Sequence, residues 1–218
     1  MPDFEPISPR DFCDTISRRA SPALAREFAR FTVADPASWQ LPAETLVHHG
    51  PLTLMDGFKP PALNTLILGD LFVEGFVHAE EARPYDGGGL FVVIGNVECD
   101  VFAGQFGKQS FIDGNLEATQ IILNAFEGSS LTVTGNLRTR FFYGWDIWAN
   151  VGGRAEMEYG VGYCLPFGVR NAEREAIRPR HDVEASQRLL NVPDTGEEGR
   201  LILYDLLELV RGGRSPFR

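Results

Sequence analysis

The sequence predicts a mainly β, single-domain protein: a parallel β-helix of about five coils with α-helical segments flanking both ends. Three observations carry that expectation. First, one pattern recurs four times, as Ile67-Leu68-Gly69-Asp70-Leu71, Val93-Ile94-Gly95-Asn96-Val97, Ile112-Asp113-Gly114-Asn115-Leu116 and Val133-Thr134-Gly135-Asn136-Leu137. Second, the glycines stand 26, 19 and 21 residues apart, the period of stacked solenoid units. Third, apolar residues alternate around each glycine at −2, +2 and +4, the signature of a strand with one buried face. The +4 positions are Val73, Cys99, Ala118 and Thr139, and the +7 positions Phe76, Phe102, Ile121 and Phe142. A coil of about 20 residues cannot bury its apolar face alone but can do so on its neighbours.

The N-terminal region reads as two helices, about 9–19 and 22–32. Ser8-Pro9 and Ser21-Pro22 each set a capping hydroxyl before a proline at the first helical position. Phe12, Ile16, Leu24, Phe28 and Phe31 fall three or four apart. Residues 33–62, with Pro36, Pro42, Pro51, Pro60 and Pro61, read as an irregular connecting segment, so that 1–62 packs on a repeat body at 63–160. A weak copy of the repeat stands at Gly50-Pro51-Leu52-Thr53-Leu54, and a degenerate one at Val151-Gly152-Gly153. Within the repeats, glycine permits positive φ, and Asp70, Asn96, Asn115 and Asn136 are expected to stack as a ladder at one corner.

Residues 161–218 read as a helical cap. A helix is expected at 182–190 and a better one at 197–210. The latter opens on Glu197 and Glu198 and ends at Arg211 before Gly212-Gly213, in agreement with the helix dipole and a glycine stop. Its leucines require a packing partner: an open end of the β-helix, or a second copy.

Composition excludes some functions. The formal net charge is −10. Residues 63–160 hold 5 basic and 13 acidic residues, hence −8; residues 1–62 hold 6 and 8, hence −2; residues 161–218 hold 9 and 9. An acidic body disfavours nucleic acid and anionic membranes and favours a basic partner. Three cysteines without close spacing argue against a disulfide framework or zinc site. No apolar run approaches a membrane span and no secretory signal is legible, so a cytoplasmic protein is expected. His48-His49, His78 and His181 join no catalytic motif. Neither a catalytic residue nor a cofactor or metal is expected.

Two stretches are candidates for partner binding. The longest repeat interval holds His78, Glu80, Glu81, Arg83, Tyr85 and Asp86, and insertions in solenoids map to loops on one face, often the binding face. Its acidic residues and histidine lack a recognised metal-ligand spacing; a merely solvated loop is the alternative. The second stretch runs from Phe141 to Trp148 and supplies Tyr143, Trp145, Asp146 and Trp148, residue types that carry interface hot spots. Its alternative role is to cover the last coil.

The Gly69-Asp70-Leu71, Gly95-Asn96-Val97, Gly114-Asn115-Leu116 and Gly135-Asn136-Leu137 repeats resemble those of bactofilins, bacterial polymer-forming cytoskeletal proteins with β-helical cores. They are also similar to those of looser bacterial β-helix proteins, some of which accompany secreted toxins and are thought to act as immunity proteins. The resemblance covers about residues 64–140 and implies a scaffold or binding role. Bactofilins have short tails and stack end to end, whereas this chain carries apolar helices on both sides. The expected function is therefore non-enzymatic binding of a protein, a basic one being favoured, by a monomer or homodimer. A polymerising scaffold is the first alternative and a polysaccharide-acting enzyme the second.

Overall fold

A computed structural model describes residues 2–31, 44–80, 89–105, 107–125, 129–145 and 148–161, together with 206, 208–209, 212 and 214–218. The chain opens with β1 (Glu5–Pro6), α1 (Pro9–Arg19) and α2 (Pro22–Phe31). Strands β2 (Thr45–His49), β3 (Leu52–Leu54), β4 (Asn64–Leu68), β5 (Leu71–Val73) and β6 (Phe76–Glu80) follow. After them come β7 (Leu90–Val93), β8 (Val97–Gln105), β9 (Gln109–Ile112) and β10 (Leu116–Ala125). The series ends with β11 (Ser130–Val133), β12 (Leu137–Trp145), β13 (Trp148–Val151) and β14 (Ala155–Val161).

These strands build a parallel β-solenoid. One sheet runs β1-β2-β4-β7-β9-β11-β13; the other runs β14-β12-β10-β8-β5-β3, with β6 also on β8. Each rung contributes to both sheets, giving six rungs among the described residues, a solenoid of about five turns. The first rung is β2 with β3, so the solenoid begins at Thr45 and not at 63. The irregular segment expected over 33–62 is thus interrupted by β2 and β3, where the weak repeat copy at Gly50–Leu54 stands, while 55–62 is irregular. Pro51, Pro60 and Pro61 lie between strands, where a missing N–H breaks no ladder bond.

The expected inward columns are present. Along the first sheet His48, Ile67, Val93, Ile112, Val133 and Val151 stand in register. Along the second, Leu52, Leu71, Val97, Leu116, Leu137 and Ala155 do the same. Apart from His48, all of these belong to one buried core. Four rings thread it, Phe4 on Phe58, Phe58 on Phe91 and Phe91 on Phe102, with centroids 6.2, 6.1 and 6.3 Å apart. Phe4 thereby covers the core at the first rung.

The +7 column is not a column. Phe102 pairs with Val77 and Ile122, and Ile122 with Phe142. Phe76 and Ile121 both pair with Val101, one column further out. The cause is an extra residue on each of two rungs: Thr119 and Gln120 of β10 face the single residues Asp100 of β8 and Arg140 of β12, and Val73, Glu74 and Gly75 face Cys99 and Asp100. Such an extra residue moves every later side chain to the other face of a fixed-offset reading.

The asparagine ladder forms as expected. Asp70 Oδ1 accepts the Asn96 N–H at 2.7 Å, Asn96 Oδ1 that of Asn115 at 2.9 Å, and Asn115 Oδ1 that of Asn136 at 2.8 Å. Asn136 Oδ1 ends the ladder on the Arg154 N–H at 2.8 Å. Of the four glycines beside it only Gly95 has a positive φ, +155°; what they share is the lack of room for a side chain. A Cβ on Gly114 would lie 2.6 Å from the Gly95 carbonyl oxygen, and one on Gly69 2.5 Å from the Gly50 carbonyl carbon. The corner stacks backbone on backbone with no room for a side chain.

The two N-terminal helices match their predicted bounds and pack on the repeat body as expected. They lie along the outer face of the first sheet and do not close an end of the solenoid. Phe12, Ile16, Leu24 and Phe28 bury against Val47, Leu66, Leu90, Val92 and Phe111. The outward column Val47, Leu66, Val92, Phe111 continues as Thr132 and Asn150. Its apolar part is the part that packs with the helices. Ser8 caps α1 by accepting the Asp11 N–H at 3.1 Å.

Asp113 ties α2 to the sheet. Its carboxylate accepts the Ser21 N–H and the Ser21 hydroxyl, each at 2.5 Å, and the Thr134 hydroxyl at 2.9 Å. Charge-assisted hydrogen bonds contribute about 1.5–3 kcal/mol each when made in place of water. Asp113→Ala should therefore loosen α2 by about 2 kcal/mol. Amide exchange is expected to quicken over 22–31 while β7 to β12 stay protected; unchanged exchange in α2 would remove Asp113 from this role.

Of the C-terminal helix expected over 197–210, Leu206, Glu208 and Leu209 are helical and both leucines are buried. The remainder of that helix and the one expected at 182–190 lie outside the described residues. Phe217 is buried with the Arg140 guanidinium 4.1 Å from its ring centroid, on the side of the solenoid at β12.

Candidate functional site

The two candidate stretches converge on one edge of the second sheet. His78 is in register with Ala103, Ala103 with Leu123, and Leu123 with Tyr143. Glu80 shares a column with Gln105, Ala125 and Trp145 in the same way. Residues far apart in sequence therefore stack on one corner, three rungs or about 14 Å apart. Trp148 opens β13 in the first sheet, in register with Ser130. Glu81, Arg83, Tyr85, Asp86 and Asp146 lie outside the described residues.

Burial separates the candidates. Tyr143 is 0% exposed and is corrected from a contact residue to a packing one. After the bulge, Val101, Ile121 and Phe141 form one buried outward column, and Ala103, Leu123 and Tyr143 the next, so apolar bulk at this end of the sheet is structural. His78 is half-buried, with its ring centroid 3.6 Å from that of Phe76.

His78 lines a cleft of about 570 Å³ on the outer side of rungs 1–3. Met55, Asp56, Lys59, Glu74, Phe76 and Asp100 form much of its wall. The β-bulge residue Gly75, with φ +103°, donates its N–H to Asp100 Oδ2 at 3.0 Å. Thr119 donates its hydroxyl to Asp100 Oδ1 at 2.7 Å, so this carboxylate is held in place from two rungs. Among the described residues the large apolar side chains left exposed are Met55 at 61% and Phe72 at 42%. Met55 follows β3 on rung 1 and lines this cleft; Phe72 lies on β5 of rung 2, in register with Thr53, and is not part of the cleft wall.

Sequence reasoning missed Met55 and Phe72. Phe72 occupies the outward position three residues after its glycine. Thr53, Glu98, Glu117, Arg138 and Glu156 fill that position on the other rungs. One aromatic in an otherwise polar outward column was the available signal. Met55 was hidden in the segment taken as a connector.

Other chemistry is thin among the described residues. No group of three His, Cys, Asp or Glu side chains is placed to hold a metal ion. Burial pushes the Cys99 thiol well above its ordinary range, with the charges of Asp100 and Glu98 adding to it. Burial, then Asp14, also raises the Cys13 thiol. Neither cysteine has the electropositive setting of a nucleophile; Cys164 lies outside the described residues. Among the described residues no helix is long and apolar enough to cross a membrane. No protein-family model, curated protein or solved structure matches the chain.

Proposed function

We propose that the chain is a non-enzymatic, protein-binding solenoid whose contact surface is the outer face of the second sheet on rungs 1–3. The observation that carries this reading is the exposure of Met55 in the wall of the His78 cleft together with that of Phe72 on the adjoining rung. Burying two such side chains at an interface contributes more than surrounding polar contacts do. A rigid stack of rungs holds them at fixed separation, so little ordering cost falls on this partner.

End-to-end polymerisation, the scaffold alternative, draws less support from the first rung. β1 adds only two residues antiparallel to β2, and Pro6 in it lacks a donor N–H. A very short edge strand bearing proline is a device against edge pairing. A monomer or closed dimer is the expected state in solution.

The test is capture from the native cell with wild-type protein and with the Met55→Ser, Phe72→Ser double variant. Wild type should retain a partner that the variant loses, while both sediment as small species. Identical capture by the two proteins, or fibres at high protein concentration, would overturn the reading.

A further inference from the structure

We infer that the Met55–His78 cleft takes a basic segment of a partner protein that also carries an apolar side chain. This inference rests on the protein-binding reading and names the chemistry of the partner.

The outer face of the second sheet is divided in its charge. On rungs 4–6 each arginine has a carboxylate. Arg138 Nη1 lies 3.4 Å from Glu117, Arg140 Nε 3.3 Å from Glu158 and Arg154 Nη1 3.6 Å from Glu156. On rungs 1–3 the carboxylates of Asp56, Glu74 and Glu98 make no ion pair and no side-chain hydrogen bond with the described residues. The cleft wall holds three carboxylates, Asp56, Glu74 and Asp100, against one lysine, Lys59. The same sheet therefore neutralises its charge at one end and leaves it uncompensated at the other.

The uncompensated end is also where Met55 and Phe72 are exposed. Acidity alone would describe a solvated face. Here unpaired carboxylates border a concave surface and two large apolar side chains. A segment with cations flanking an apolar residue satisfies both: its apolar side chain covers Met55 and Phe72, and its cations meet Asp56, Glu74 and Glu98. Exposed charges of this kind act chiefly on encounter rate and partner choice, and are screened over about 8–10 Å at physiological salt.

The probe is a fluorescent peptide of alternating lysine and leucine, with a glutamate-for-lysine counterpart as control. Two triple variants of the full chain carry the same change in net charge. Asp56→Asn, Glu74→Gln, Glu98→Gln removes the unpaired carboxylates; Glu117→Gln, Glu156→Gln, Glu158→Gln removes the paired ones. The first should weaken peptide binding about tenfold or more and the second less than about twofold, with wild-type affinity falling as salt rises. Equal weakening by both triples, or equal binding of the glutamate peptide, would overturn the inference. The captured native partner separates this from the broader reading. Loss of capture with Met55→Ser, Phe72→Ser but full capture with the first triple would leave protein binding standing and defeat the basic partner. Full capture with both sets of changes would defeat both.

Discussion

Ile112→Asp should abolish folding. Ile112 is 0% exposed and stands mid-column between Val93 and Val133 in the first sheet. The substitution loses the burial of a large aliphatic side chain and leaves a carboxylate in an apolar core, a cost of several kcal/mol against a domain stability of about 5–15 kcal/mol. Urea unfolding followed by circular dichroism is the check. Insoluble or unfolded protein is the expected outcome; a soluble variant melting like wild type would contradict the register of the solenoid.

The second large effect is expected at the glycine corner. Gly114→Ala would set a Cβ 2.6 Å from the Gly95 carbonyl oxygen, 2.8 Å from its carbon and 2.9 Å from Asn96 Oδ1. The neighbouring atoms include backbone, fixed by ladder bonds about 4.8 Å apart, so relief requires parting two rungs. Overpacking of this kind costs about 1–3 kcal/mol, and the asparagine ladder strains with it. Gly50 is the internal comparison. It has φ +94° but nothing within 4 Å of its would-be Cβ. Gly50→Ala should cost only the left-handed backbone penalty, about 1 kcal/mol. If both variants lose the same stability in chemical denaturation, then close stacking is not what selects glycine at this corner.

That comparison shows where the sequence was legible and where it was not. The −2, +2 and +4 columns could be read because alternation about an invariant glycine needs only strand geometry. The ladder Asp70, Asn96, Asn115, Asn136 could be read because side-chain amides repeat at the same offset. The helices α1 and α2 could be read because Ser8-Pro9 and Ser21-Pro22 mark their starts locally. The +7 column failed because the extra residues at Thr119-Gln120 and at 73–75 leave no mark in composition. That the helices pack on the body could be read, but not which face they cover. Amphipathic spacing tells that a face is buried but not against what, and the outward apolar column Val47, Leu66, Val92, Phe111 is split across four rungs. The first rung showed only as the weak copy at Gly50–Leu54, because its prolines look like loop residues until their position between strands is known. Tyr143 was misjudged because an aromatic suits an interface and a core equally well; only its burial distinguishes them. Phe72 was the reverse case, an apolar residue whose offset placed it outward from the start.

The most direct test of the binding surface is an amide-exchange footprint of the chain with its captured partner. Protection on binding should concentrate over 53–59, 72–78 and 98–100, the strands that carry Met55, Phe72, Glu74 and the His78 cleft. Protection confined to rungs 5 and 6, or to the helices on the first sheet, would contradict the proposed surface.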